Sequence, residues 1–390
     1  MAKSTTSRPS RKPPKPQPDF PLFAHAAGYW SKKVRGRTVY FGSWKDDPKG
    51  QRALEQWAEQ KDDLLAGRTP HSGGDGLTVK NLVNNFLTFK QDLLMNGKIV
   101  PRTFVSYKKT CERLVDFFDR DRRVDDLAAS DFRKLRAAIA ETRGPAALGN
   151  EITVVRMVFK FAFDEHLIER PVRYGQSFAK PSKKVLRKNR AANGIRMFEA
   201  NEIRLILDNA QQPLRTMCLL AINAGCGNSD VSGLPRDAVD LENGWLNYPR
   251  PKTGVARRVP LWIETLESLQ DAIDHRPEPA DPADAVLVFL TKYGNRWVKN
   301  HGSSDDSVAK EFSKLLKRLG INGKRGFYAL RHTTQTIGEE AGETATRHIM
   351  GHTDNSMSAV YRERISDERL QAVANHIHQW LWPVEEGGEL

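Results

Sequence analysis

The chain has 390 residues, a formal net charge of +13 and a pI near 9.6. This length allows two or three domains, and the charge favours binding to a polyanion, foremost nucleic acid, over a merely basic soluble protein. No apolar run reaches the roughly eighteen residues of a membrane helix. The basic N-terminus lacks the apolar region of a secretory signal, and the three cysteines form no CxxC pair. We therefore expect a cytoplasmic, nucleoid-associated protein without disulfides or a thiolate zinc site.

The N-terminal part is predicted to be a tail followed by a small module. Residues 1–20 are rich in proline, lysine and arginine, which is typical of a disordered basic tail. Two β-prone runs flank Arg35-Gly36 and predict a hairpin, and apolar spacing predicts a helix over about 48–66. Residues 21–70 therefore form a hairpin-helix module, which is either an arm-type reader of DNA or a contact surface for another protein.

A helical domain is expected next. A glycine-rich linker at 67–76 leads into residues 77–172, where apolar residues recur at helical spacing in four or five segments. The stripe of the first helix, which ends at Phe89, is expected to lie in the core. Ser130 or Asp131 is suited to cap a later helix.

The segment 173–196 is dense in lysine and arginine and has little that could form a core. We expect a basic linker that follows a phosphate backbone through Lys183, Lys184 and Arg187. An ordinary solvated linker is the alternative.

Residues 197–385 contain helices, two β-like runs and several unusual polar stretches. The runs join around PKTG, which places Lys252 at the tip of a predicted hairpin. The stretch FYALRHTT places Arg331 and His332 at the start of a helix. Alone, Lys252 would be interpreted as a solvated turn residue, and Arg331 as a helix cap or a partner in an ion pair.

The stretch GHTDNSMSAVY supplies His352 and, nine residues later, Tyr361. Alone, His352 could be a partner of a helix C-cap and Tyr361 a core aromatic. Each residue has an ordinary structural interpretation, so only their joint order and spacing point to chemistry.

Together these stretches resemble the tyrosine recombinases, the phage-integrase family of site-specific recombinases. That family carries an H-x-x-R-H element, then G-H, then a tyrosine nine residues past the histidine, with a hairpin lysine upstream. YALRH, GH and Tyr361 follow this order and spacing. The resemblance implies a mainly α fold with small β-hairpins. It comprises a helical core-binding (SAM-like) domain and a mixed α/β catalytic domain, preceded by the hairpin-helix module.

The resemblance also implies a chemistry without a metal or cofactor. Tyr361 would attack a DNA phosphodiester and form a 3′-phosphotyrosine, which keeps the bond energy in a covalent link. Arg331 would clamp the phosphate, Lys252 would act as general acid, and His352 would donate a hydrogen bond to the phosphate. His332 would contact DNA nearby.

Two positions depart from the family pattern. The stretch AGCGNSD matches the family's T-G-x-R-x-x-E, so Gly227 stands where an arginine belongs, while Asp230 keeps the acidic position. Tyr328 stands in place of the first histidine and can still donate and accept a hydrogen bond. Loss of one stabilising donor typically costs about a hundredfold to a thousandfold in rate.

The missing charge leaves several hypotheses open. Another cation could enter the pocket, and Arg257, Arg258 or Arg347 is close enough in the motif order; the first two are also candidate DNA contacts. The loop 225–228 could instead offer backbone N–H groups. Otherwise the protein is an impaired relative that binds DNA without cutting it.

Partners follow from the resemblance and from the end of the chain. Double-stranded DNA is the expected substrate. A helical apolar stripe at 365–382 is expected to dock on a neighbouring copy and build a homotetramer on DNA, with packing on its own domain as the alternative. No membrane partner is expected.

Overall fold

The computed structural model describes residues 12–66, 76–298, 305–354, 356–357 and 361–383. The chain divides into two units, Met1–Leu186 and Arg187–Leu390. No helix within these described residues combines the length and apolar character needed to cross a membrane.

The first unit begins with a three-stranded antiparallel sheet and one helix. The predicted hairpin is confirmed, because Arg35 and Gly36 both have positive φ angles (49° and 82°) in the two-residue turn. Such φ angles are typical of the turn that best fits the twist of paired strands. The elements of this module are β1 (Phe23–Ala24), β2 (Tyr29–Val34), β3 (Arg37–Ser43) and α1 (Gln51–Ala66).

The ordered part of this module begins earlier than expected. Residues 1–11 of the predicted tail lie outside the described residues, but Phe20 is buried and packs edge-to-face on Trp30, with 5.2 Å between ring centroids. Its ring also faces Gly50, where an added Cβ would lie 2.4 Å away. The assignment of residue 20 to a disordered tail was wrong, because one aromatic side chain is enough to join a polar stretch to a small core.

A four-helix bundle with its own core completes most of the first unit. Its apolar stripe ends sooner than predicted, since Phe89 is 37% exposed and stacks on Phe161 at the surface. The helix cap predicted at Ser130 or Asp131 lies earlier, because Ala128 is the N-cap residue and the helix begins at Ala129. The Asp131 carboxylate accepts a hydrogen bond from the backbone N–H of Ala128. The helices are α2 (Val79–Met95), α3 (Pro101–Phe118), α4 (Ala129–Thr142) and α5 (Pro145–Asp164).

The predicted basic linker is partly core and partly helix. Phe178 is fully buried, packs on Phe132 and Tyr174 in the bundle core, and its carbonyl accepts a hydrogen bond from Arg156 at 2.6 Å. The bundle therefore extends to residue 178, beyond the predicted boundary at 172. The basic residues that follow form α6 (Lys183–Ala192), which has no buried residue.

The second unit is a mainly helical domain with a small sheet. Its elements are α7 (Ala200–Asn209), α8 (Leu214–Asn223), α9 (Asn228–Ser232), β4 (Val239–Asp240), β5 (Trp245–Asn247), β6 (Arg258–Pro260), α10 (Ile263–Asp274), α11 (Ser307–Arg318), α12 (Tyr328–Ile349) and α13 (Asp367–Leu381). Helix α8 lies at its centre: every residue of α8 except Arg215 is buried, and the other six helices of this list all pack against it. The three strands form an antiparallel sheet in the order β4, β5, β6.

The last helix, α13, packs on its own unit. Its apolar stripe is buried against α12, β6, α7 and α8, and Trp262 donates a hydrogen bond to the carbonyl of Ala374 at 3.0 Å. The stripe predicted to dock on a neighbour is thus used within the chain, because α12 and β6 already offer it an apolar surface. The buried residues are Leu370, Val373, Ala374, Ile377 and Leu381.

Candidate active site

Arg331 lies at the centre of the candidate site. It is only 1% exposed in the first turn of α12, and its guanidinium donates to the carbonyl of Gly225 and, at 2.6 Å, to that of Met350. One turn later, the Thr334 hydroxyl lies within 3.0 Å of the carbonyls of Ala221 and Ile222 in α8. Arg331 therefore connects α12 to the loop that carries Gly227 and to the turn that carries His352.

The loop before α9 is held tightly at this centre. Gly225 has a φ of 62°, and an added Cβ would lie 2.3 Å from the Met350 sulfur, so only glycine fits. Gly227 is the N-cap residue of α9, and its N–H donates to the Asp230 carboxylate at 2.9 Å. Asp230 thus fixes the loop at the position where the arginine is missing.

The two departures from the family pattern touch each other. A Cβ added to Gly227 would lie 3.2 and 3.3 Å from two carbons of the Tyr328 ring. That ring is also edge-on to His332 at 5.4 Å, and the Arg331 guanidinium lies 6.0 Å from its centroid. Tyr328 therefore lies where a side chain at position 227 would begin, and this contact could not be predicted from the sequence.

The hairpin of β5 and β6 reaches the same place. Lys252 is exposed in its turn, as predicted. The Thr253 hydroxyl donates to the carbonyl of Gly351 at 3.2 Å, and the Arg250 guanidinium approaches the same carbonyl at 3.5 Å. The hairpin thus packs against the turn before His352, and Lys252 lies between the two hairpin residues that make this contact.

His352 follows a glycine that close packing requires. Gly351 has a φ of 60°, and an added Cβ would lie 2.8 Å from the Cδ of Arg257 and 2.9 Å from the Cβ of Arg250. Burial lowers the pKa of His352 to about 4, assisted by the charges of Arg331, Arg250 and Arg347. The imidazole is therefore neutral at neutral pH and can donate one hydrogen bond.

Of the three cations considered as replacements, only Arg257 enters the buried cluster. Its Nε donates to the carbonyl of Tyr248 at 2.8 Å, its guanidinium stacks over the Tyr248 ring, and its Nη1 lies 3.5 Å from Asp230. Its Nη2 is buried, and no acceptor reaches it among the residues that the structure describes.

The other two cations are bound elsewhere. Arg258 forms two 2.9 Å hydrogen bonds to Asp367 and lies over the Trp245 ring at 3.8 Å. Arg347 pairs with Glu343 at 3.0 Å and reaches the cluster only through its effect on the pKa of His352. The three basic residues predicted to follow DNA, Lys183, Lys184 and Arg187, all lie exposed on α6.

Tyr361 is a surface residue. It is 77% exposed, so its interpretation as a core aromatic is wrong. The next residue, Arg362, pairs with Asp354 at 3.1 Å and ties the start of the final segment back to the turn after His352. Hydrogen bonds from Ser356, followed by the contact with Arg362, lower the pKa of Asp354 to about 2. Residues 355 and 358–360 lie outside the described residues.

Sequence reasoning missed Arg250. The signal was its place in PRPKTG, two residues before Lys252, on a hairpin already assigned to the site. Within the described ranges, no group of three or more histidine, cysteine or acidic side chains could hold a metal ion.

The second unit, which follows the helical bundle along the chain, carries a buried arginine, a neutral histidine, a hairpin lysine and an exposed tyrosine downstream. This set is typical of a tyrosine-recombinase fold. Residues 196–367 match the model of the phage integrase family. This part of the chain is therefore a domain of the phage integrase family, the tyrosine recombinases.

Relatives with curated descriptions match part of the chain. It is 23% identical over 154 residues to the tyrosine recombinase XerC of Chlamydia pneumoniae, covering 38% of this chain and 47% of the relative. It is 23% identical over 151 residues to XerC of Chlamydia caviae, covering 38% and 46%. The chain thus spans about half the length of the curated relatives it matches.

Solved structures match more of it. A lambda integrase dimer bound to a COC′ core site aligns with a TM-score of 0.56 at 17% identity, over 93% of this chain and 99% of that one. A lambda integrase tetramer bound to a Holliday junction gives 0.55 at 16%, over 90% and 98%. The Tn1549 transposon integrase with transposon right end DNA gives 0.54 at 17%, over 76% and 98%. At these identities the likeness shows the fold, and the predicted fold class is confirmed.

Proposed function

We propose that this protein is a site-specific recombinase that cuts and rejoins double-stranded DNA through Tyr361. The observation that carries the proposal is the convergence at Gly351. The hairpin with Lys252, the helix with Arg331 and the turn with His352 all meet there. Only long-range packing brings these segments together, and the exposed tyrosine follows them directly.

The proposed reaction conserves a phosphodiester. The exposed Tyr361 oxygen passes its proton to water and forms a bond to phosphorus, and the bond from phosphorus to the 5′-oxygen of DNA breaks. Lys252 donates a proton to that leaving oxygen. His352, kept neutral by its surroundings, donates a hydrogen bond to a non-bridging oxygen. Attack by a 5′-hydroxyl from another strand reverses these steps and releases the tyrosine.

Arg331 is proposed to act mainly by holding the site together and by its charge. Both terminal nitrogens donate to backbone carbonyls in this structure, and the side chain is almost completely buried. Its positive charge still favours the negative transition state, because few water molecules screen it there.

The partners belong to the same proposal. The charge of +13 suits DNA, and we propose that the N-terminal module, the helical bundle and α6 contact its backbone, in association with the nucleoid. One structural neighbour is described as a tetramer on a Holliday junction, and four copies are proposed here too. An exchange of α13 between copies would first have to release five apolar side chains that are buried on its own unit here, before the equivalent surface of a neighbour covers them again.

A second function has one specific observation in its favour. The space beside Gly227 holds the ring of Tyr328 instead of an arginine. A protein without that charge could keep the fold and bind DNA without cutting it. Binding that weakens with salt is expected under both functions, so only a covalent link to Tyr361 separates them.

The test uses nicked duplexes made from the DNA that flanks the gene for this protein. The full chain is mixed with each duplex, denatured and examined for a protein–DNA adduct, with Tyr361→Phe as the control. We expect an adduct that the control lacks. Specific binding to a duplex without any adduct would refute cleavage and support the non-cutting function.

A further inference from the structure

We propose that Arg250 supplies the phosphate-binding guanidinium that is missing at Gly227. The inference rests on the proposed function and adds a catalytic residue to it. Arg250 reaches the site from the β5–β6 hairpin, and the missing group would have come from the loop before α9. The charge has thus been moved to another element.

The other arginines of the cluster already have protein partners. Arg331 gives its terminal nitrogens to two carbonyls and is 1% exposed. Arg257 is also buried, and its charge is balanced by Asp230 at 3.5 Å. Because both guanidinium groups are buried, a DNA phosphate at the protein surface would not contact either of them directly.

Arg250 is placed differently. It is partly exposed, and its one side-chain hydrogen bond within the described residues, to the carbonyl of Gly351, is long at 3.5 Å. Its Nε is buried and has no acceptor within the part of the chain that the structure describes. Its terminal nitrogens carry four further N–H donors, and apart from the long contact to Gly351 these remain for a ligand with several acceptor oxygens.

Its neighbours are the groups that a scissile phosphate would need. Lys252 is two residues away on the same hairpin. The charge of Arg250 is close enough to His352 and Arg331 to lower the pKa of both side chains, after burial in each case. A guanidinium that acts on both groups, and is open to solvent on one side, lies beside the surface where they would meet DNA.

Arg257 is the positioning residue in this arrangement. Its aliphatic carbons and the Cβ of Arg250 both pack against Gly351, where there is no room for a Cβ. Its head group is held by Asp230 and by the carbonyl of Tyr248. The base of the hairpin is therefore fixed to the loop before α9, which limits where Arg250 can point.

The first experiment measures adduct formation by Arg250→Ala on a nicked duplex that wild-type protein cleaves. Loss of one stabilising donor predicts a rate about a hundredfold to a thousandfold lower, with DNA binding changed little. Arg318→Ala is the matched control, because Arg318 donates to the carbonyl of Asn209 on another face of the unit. Arg250→Lys should recover part of the rate, since it restores the charge without the fork of donors.

The outcomes separate the two proposals. No adduct from wild-type protein on a duplex that it binds specifically overturns cleavage itself, and Arg250 with it. A normal adduct rate in Arg250→Ala, alongside an active wild type, overturns only the assignment of Arg250.

A second substrate distinguishes direct contact from support of the fold. Replacing one non-bridging oxygen of the scissile phosphate by a methyl group removes its negative charge. If Arg250 neutralises that charge, the defect of Arg250→Ala should shrink at least tenfold on this methylphosphonate. An equal defect on both substrates would show that Arg250 acts on protein structure and would overturn the proposal.

Discussion

Replacement of Arg331 by alanine should destabilise the second unit as well as abolish cleavage. The guanidinium is the donor for two buried carbonyls, those of Gly225 and Met350. A buried polar group left without a partner costs about 1–3 kcal/mol, which gives about 2–6 kcal/mol for the pair. Removal of a buried charge offsets part of this cost, because burial and the charge of Arg250 lower the pKa of Arg331. We expect a net loss of about 2–4 kcal/mol in the free energy of unfolding.

Urea unfolding followed by tryptophan fluorescence measures this loss. Trp245, Trp262 and Trp297 are buried in the second unit, while Trp30 and Trp44 report on the first. The two units need separate transitions in the fit, and only that of the second should move.

The control is again Arg318→Ala, which removes the same side chain from an exposed hydrogen bond and should cost less than about 1 kcal/mol. If Arg331→Ala unfolded at the same urea concentration as this control, the two carbonyl contacts would not support the site. Loss of cleavage in Arg331→Ala could then be attributed to chemistry alone.

Four further predictions concern the site and other parts of the chain. By NMR titration, Arg250→Ala should raise the pKa of His352 from about 4 towards 6.5, while that of His348, which Arg362 influences, should not move. Because folding lowers the pKa of His352, its contribution should make the protein less stable as pH falls from about 6.5 to 4, and urea midpoints across that range test this. Ile377→Ala should cost about 2–5 kcal/mol and increase hydrogen exchange in α13, since the side chain is fully buried; unchanged exchange would contradict cis docking. Lys184→Ala should lower the salt slope of DNA binding by about 0.9 if this lysine contacts a phosphate, and an unchanged slope would exclude that contact.

The features that the sequence predicted well depend on local rules. Gly36 predicts the turn, because a two-residue hairpin turn of this type requires positive φ angles that glycine adopts readily. The order of Lys252, Arg331 and Tyr361 predicts the tyrosine-recombinase family, because the helices and turns between these residues determine how far apart they lie in sequence.

The features that it did not predict depend on packing between distant segments. The residues that neighbour Phe20 and Phe178 in sequence do not indicate that these two rings are buried in a hydrophobic core. Arg331 was expected to point at a phosphate, yet its partners are carbonyls 106 and 19 residues away. Arg250 is identified as a site residue by the contact of its hairpin with Gly351, which lies 101 residues away in sequence. Side-chain partners of this kind are set by the tertiary fold and leave no periodic trace.

The contact between Gly227 and Tyr328 has a consequence for evolution. An arginine restored at 227 while the tyrosine remains would start into an aromatic ring about 3.2 Å from its Cβ. Exchange of the tyrosine first would only leave a gap. The two substitutions are therefore expected to be epistatic: with tyrosine at 328, an arginine at 227 requires the ring to shift by a few tenths of an ångström, and a smaller residue at 328 removes that requirement.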